Sequence, residues 1–234
     1  MQNENQVLAI LGIEKAVVSK VNDPAAVKAV NEQTKVILAE SVLTPAHKLL
    51  IAKSNELEPS TLKKWENNGI EFFDAVKYVR KDVSLLAGSI DIFTDSLDKE
   101  PGITNFTKAR LDSNENLMLE RIELNYDRGT GITTKTADLA PIVSSDDNAI
   151  FNGEVEIQVG GKTIAKIPVS SFSDAPKGQN AVEKKCNGFN LSSPKLIKEG
   201  EEIQIRLITV GTIASSSDKD IIEFKLLGAA TRSR

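Results

Sequence analysis

Two hydrophobic periodicities divide the chain. Between Ala26 and Leu43 apolar residues recur at helical spacing, at Ala26, Val30, Val36 or Ile37 and Val42 or Leu43, with Lys28, Glu32, Lys35 and Glu40 off the stripe. Asn22-Asp23-Pro24 supplies a capping side chain followed by a proline, which suits a first helical turn because that position needs no N–H partner. Thr44-Pro45 repeats the start signal ahead of His47-Lys48-Leu49-Leu50-Ile51. Ser60 or Thr61 opens a third piece carrying Leu62 and Trp65, and Asn67-Asn68-Gly69 reads as its stop. Three or four short helices are expected within residues 1–88. Phe72, Phe73, Val76, Tyr78 and Val79 form the densest aromatic cluster, and over 70–80 the spacing fits a helix and a strand equally.

Beyond Gly88 the period shortens to two. Ile90 and Ile92 alternate with Asp91 and Phe93. From Leu117 to Tyr126 the residues Ile122, Leu124 and Tyr126 share one face, with Arg121, Glu123 and Asn125 on the other. The run Glu154-Val155-Glu156-Ile157-Gln158-Val159 leads into Gly160-Gly161 and then Lys162 to Ile167. A glycine pair between alternating runs predicts a tight hairpin, since both residues tolerate positive φ. Ile203, Ile205 and Leu207, and then Ile222, Phe224 and Leu226, complete the pattern. With strands also expected near 103–111 and 186–191, the total is about eight. The chain therefore predicts an α+β fold: an N-terminal helical segment over 1–88 and an antiparallel β-sandwich over 89–234, one face of each sheet wet and one dry. Long polar connections are expected at 128–149 and 170–185.

Composition narrows the chemistry. The chain has 234 residues, 29 basic and 33 acidic, for a net charge of -4. Residues 1–88 hold 11 of each sign, so neither half is a basic arm, and direct sequence-specific nucleic-acid binding is not expected. One His, one Cys and one Trp preclude a multi-His or Cys/His zinc site and an internal disulfide within one chain. No apolar stretch approaches the ~20 residues of a spanning helix, and no basic residue precedes the Val7–Ile13 apolar run, so neither a transmembrane segment nor a cleaved signal is expected.

Individual candidates fall short of a catalytic constellation. A nucleophile–imidazole pair would have to unite His47 with Cys186, which follows Lys184-Lys185. Ser144-Ser145-Asp146-Asp147-Asn148 offers oxygen ligands to a hard cation but lacks the closing Glu of a calcium loop. Asp95, Asp98 and Glu100 read as a charged loop. Gly129-Thr130-Gly131 lacks the Lys and the helix of a phosphate loop. Lys63-Lys64-Trp65 sets a ring beside two cations, though Glu66 and Glu71 offset them, which suits an amphipathic helix with Trp65 as its anchor. No enzymatic activity and no cofactor or metal are expected.

One stretch carries a resemblance. Gly88-Ser89-Ile90-Asp91-Ile92-Phe93, Gly102-Ile103-Thr104-Asn105-Phe106, Leu111-Asp112-Ser113-Asn114-Glu115-Asn116 and Leu119-Glu120-Arg121-Ile122-Glu123-Leu124-Asn125-Tyr126 resemble bacteriophage virion structural proteins of the jelly-roll kind. The resemblance implies a single jelly roll with a helical extension and a role in a capsid shell or as a minor or vertex component. It also implies a location in the virion after folding in the host cytoplasm. The partners it implies are other copies of the chain, in a symmetric oligomer, and other virion proteins. The region of Trp65, Phe72 and Phe73 is the expected subunit contact. The two long loops motivate an alternative, a β-sandwich module that recognises carbohydrate or another cell-surface ligand.

Overall fold

The computed structural model describes residues 45–53, 56–66, 69–93, 98–143, 146–173, 188–213 and 217–233. The helices expected within 1–44, Asp95 and Cys186 lie outside the described residues, as do the side chains of His47 and Trp65. Two antiparallel sheets face one another as a β-sandwich. One, sheet A, has the order β1-β9-β3, with β4 and β7 both pairing with β3. The strands are β1 (Ile70–Asp82), β3 (Leu117–Thr130), β4 (Ala140–Pro141), β7 (Phe189–Ile197) and β9 (Asp218–Ser233). The other, sheet B, has the order β2-β8-β5-β6, with β2 (Ala87–Asp91), β5 (Glu154–Val159), β6 (Lys162–Pro168) and β8 (Ile203–Thr212). The β4–β5 and other inter-sheet connections carry the chain across the sandwich, whereas β5 and β6 are neighbours in one hairpin.

Alternation explains the core. Val155, Ile157 and Val159 of β5, Ile203, Ile205 and Leu207 of β8, and Ile90 of β2 point inward. There they meet Leu119, Ile122 and Leu124 of β3 and Ile222, Phe224 and Leu226 of β9. Each such fully buried side chain contributes about 2 kcal/mol of apolar transfer energy. The β5–β6 turn is the expected one: Gly160 and Gly161 have φ of 55° and 76°, the positive pair that matches the twist of a hairpin.

Residues 70–82 resolve as a strand, paired with β9 from Ile70↔Ser233 to Asp82↔Ile221. The sheet thus begins well before the change in composition, and Gly88 lies inside β2. Among the described residues two short helices precede it, α1 (Pro45–Ala52) and α2 (Pro59–Glu66). Leu50 of α1 is fully buried against Met118 and Ala229 on the outer face of sheet A, with Leu49, Phe72 and Leu196 around it.

The strand expected near 103–111 does not form. That segment is a chain of turns with isolated bridges, Val79↔Thr104 and Thr107↔Arg110. Its physical reason lies at the open edge of β1. Arg80 N–H donates to the Ile103 carbonyl at 2.8 Å, Tyr78 N–H to Asn105 Oδ1 at 2.8 Å and Asn105 Nδ2 to the Val76 carbonyl at 2.8 Å. One amide side chain thereby does part of the work of a ladder, covering an edge that would otherwise present unpaired backbone. At the other expected strand, β7 occupies Phe189–Ile197, and residues 186–187 lie outside the described residues.

The connection expected over 128–149 is shorter and more structured. β3 runs to Thr130, and residues 131–139 then form a strap over the outer face of sheet A. Arg80 Nη1 donates to the Thr134 carbonyl at 3.1 Å and Asp138 N–H to Asp127 Oδ2 at 2.7 Å, while Lys135 pairs with Glu100. After β4 comes α3 (Asn148–Phe151), capped by Asp147, which accepts from Ala149 N–H at 2.8 Å and Ile150 N–H at 3.3 Å. A 3-10 turn at Val169–Phe172 opens the 170–185 connection, which otherwise lies outside the described residues. No helix among the described residues is long and apolar enough to cross a membrane.

Candidate functional site

A cavity of about 550 Å³ lies at the end of the sandwich where β2 stops and β8 starts. That is the size of a small-molecule site. Phe93, Leu111 and Ile203, all buried, lie among its lining residues. The Phe93 ring stands edge-on to Phe106 at 5.1 Å between centroids, which fixes its orientation.

One wall is the 107–113 segment. Ile203 N–H donates to the Ala109 carbonyl at 2.8 Å, tying the segment to the first residue of β8. Lys108 and Ala109 hold φ of 49° and 55°, a left-handed conformation that residues with a Cβ adopt at a cost of about 1–2 kcal/mol each. In that conformation Lys108 and Arg110 reach the rim exposed, and neither cation has a hydrogen bond or ion pair among the described residues. Asp91 and Glu202 also line the cavity. Asp91 Oδ1 accepts from Phe93 N–H at 3.2 Å and Glu202 Oε1 from Gln204 Nε2 at 2.9 Å, leaving one oxygen of each carboxylate to face solvent.

The wall is held from behind by buried polar groups. Lys77 Nζ lies 2.6 Å from Glu115 Oε2, with both side chains almost wholly buried, and Nζ sits 6.0 Å from the Phe106 ring centre. The same Glu115 oxygen accepts from Asp112 N–H at 3.3 Å. Glu199 receives the Thr61 hydroxyl at 2.9 Å and the Asn114 N–H, joining α2, the 198–202 turn and the loop before β3. Breaking a buried pair of this kind costs about 3–5 kcal/mol, because the surviving charge is left without a partner.

A second polar cluster lies at the opposite end. Asp220 is fully buried on β9; its Oδ1 accepts from the Tyr126 hydroxyl at 2.5 Å and lies 3.8 Å from Arg128 Nε, while Oδ2 has no partner among the described residues. Burial raises the Asp220 carboxyl above its usual range, against the Tyr126 hydrogen bond and Arg128, which lower it. Burial and the Asp220 charge push the Tyr126 phenol far above its ordinary value. On the outer face of sheet A the balance reverses at Glu223. Burial alone would raise it, but Asn125 Nδ2 at 2.9 Å, Arg80 Nε at 2.7 Å and Lys225 Nζ at 3.1 Å hold it below the usual carboxylate range.

The residues singled out in the sequence are dispersed. Phe72 and Phe73, as consecutive strand residues, point to opposite faces of β1: Phe72 packs under α1, and Phe73 packs against the main core with the Arg232 guanidinium 5.0 Å from its ring centre. Trp65 lies on α2 and His47 on α1. Asp146 and Asp147 are engaged in local turns, through Val143 N–H and the α3 cap, and no group of three potential metal ligands occurs among the described residues. Neither Lys108 nor Arg110 stood out in the sequence. Comparison with protein-family models, with curated proteins and with solved structures gave no match.

Proposed function

We propose that the chain is a structural virion protein, a capsid shell subunit or minor or vertex component, that works by self-assembly through subunit contacts. The observation that carries this reading is strand order. Sheet A in the order β1-β9-β3-β7 opposes sheet B in the order β2-β8-β5-β6, and the long strands alternate between sheets except at the β5–β6 hairpin. This is the order expected of a single jelly roll of eight strands with β4 as a short addition. The resemblance over residues 88–126, which make β2, the loop and most of β3, points the same way.

Surface chemistry adds to it. Leu85 and Val210 are 64% and 67% exposed, and with Leu86 they flank the same end of the β2–β8 pair, where a neighbouring copy would cover them. The Trp65, Phe72 and Phe73 region remains the second proposed contact. Other copies and other virion proteins are the proposed partners, and the virion the proposed location. Light scattering of the full chain over a concentration series, followed by electron microscopy, tests the reading. Trimers, pentamers, hexamers or closed shells support it; a monomer at every concentration overturns it.

The cavity favours a second reading, a β-sandwich binding module. A glycan array probed with the full chain tests this, and an array with no bound glycan removes it.

A further inference from the structure

We propose that the cavity beneath the 107–113 segment binds a small hydroxylated anion, a sugar acid or a sugar phosphate, with Lys108 and Arg110 on its acidic group. The proposal rests on the second reading above and names the ligand class of that site.

Four features converge on it. The volume, about 550 Å³, suits one or two sugar rings. Lys108 and Arg110 are two residues apart, exposed on the rim and unpaired among the described residues, while Asp112 beside them is taken by Lys99. An incoming carboxylate or phosphate therefore meets two cations that lose no existing partner, and the planar guanidinium suits either group in a two-pronged contact. Elsewhere in the lining, the open oxygens of Asp91 and Glu202 accept hydrogen bonds from hydroxyl groups, and Phe93 and Leu111 present apolar surface to ring carbons.

The fourth feature is backbone. Two successive residues with side chains, Lys108 and Ala109, sit at positive φ, and the surrounding hydrogen bonds hold them there. Strain of this kind persists where the structure over-determines it and marks ligand clamps. Here it folds the segment out of a strand and into the cavity wall, where both Lys108 and Arg110 lie among the lining residues.

The test is an amide chemical-shift titration of the full-length protein with glucuronate, glucose 6-phosphate, glucose and inorganic phosphate. Glucuronate or glucose 6-phosphate is expected to shift amides of residues 107–113 and 202–204, and whichever binds more tightly names the acidic group. Glucose is expected to bind at least tenfold more weakly. K108A and R110A, both at exposed positions, are each expected to weaken binding about tenfold with an unchanged melting temperature. A109G keeps both cations and relieves the strain at φ 55°, so unchanged binding is expected.

Shifts from inorganic phosphate of equal affinity, an adventitious ion only, overturn the proposal, as does full binding by the K108A/R110A double variant. Equal binding of glucose and glucuronate removes the acidic ligand class and leaves the binding-module reading standing. If no probe moves these amides and no arrayed glycan binds, both fall.

Discussion

The two sheets differ in what covers their outer faces. Among the described residues no element covers the outer face of sheet B, where Glu156 lies in register with Lys166 on one side and Arg206 on the other. Sheet A is covered twice, by α1 over Met118, Ala229 and Phe72 at one end and by the 131–139 strap over Arg80 and Asp127 at the other. Its central strand β9 is buried on both faces, down to the charged Glu223. A charge on sheet B is solvated and tolerant; a charge on sheet A is desolvated and survives through its partners. The outer face of sheet A is consequently held together by packed neighbours, whereas the outer charges of sheet B face solvent.

The sharpest break in this contrast is glycine substitution. A Cβ on Gly228 of β9 would lie 1.9 Å from the Met118 carbonyl oxygen, where β3 bulges between Leu119 and Arg121. Since backbone cannot step aside, Gly228→Ala is expected to cost about 4 kcal/mol or more, read as a drop in the denaturant midpoint. Gly161→Ala in the sheet B hairpin meets nothing within 4 Å and carries only the penalty of its positive φ, so about 1 kcal/mol is expected. Equal losses at the two sites would remove the distinction.

Core truncation follows. Leu50→Ala opens the contact between α1 and sheet A, and a loss of about 2–3 kcal/mol is expected if the helix is integral to the fold. Thermal unfolding monitored alongside limited proteolysis at residues 45–66 checks it; faster cleavage with an unchanged global midpoint would mean that α1 is an appendage to an independent sandwich.

Charge removal gives the third comparison. Glu223→Gln keeps the shape but leaves Arg80 and Lys225 facing an amide, and a loss of about 2 kcal/mol is expected at pH 7. The Glu223 pKa is lowered on folding, so its contribution is present above its unfolded value and lost as pH falls through the folded one. The gap between wild type and variant is therefore expected to close below about pH 4 in denaturant titrations. Glu156→Gln on the open sheet, whose hydrogen bond to Thr163 lies at the surface, is expected to leave the midpoint unmoved.

The same contrast explains which elements were legible in the sequence. On sheet B the outer positions are polar, and β5, β6 and β8 read directly from alternation. On sheet A, inward Lys77 and outward Phe72 blur β1, because a buried ion pair with Glu115 and a covering helix reverse the usual residue types. The segment 107–111 misled in the other direction. Thr107, Ala109 and Leu111 alternate with Lys108 and Arg110 as in a strand, yet positive φ at 108 and 109 folds it into the cavity wall. Nothing in a lysine or an alanine announces that conformation.

By itself the sequence determined the two-residue period after Gly88, the Gly160-Gly161 hairpin, the inward faces of β3, β5, β8 and β9, and the absence of ligands for a Cys/His metal site. These are local properties, set by side-chain polarity and by the φ that a glycine tolerates. Tertiary structure decided the sheet order, the strap over sheet A, the use of Asn105 as an edge cap and the meeting of Asp91, Lys108, Arg110 and Glu202 around one cavity. Those depend on pairings between residues far apart in the chain, where hydrogen bonding, desolvation and backbone strain are balanced across the whole sandwich and no short window of sequence records the result.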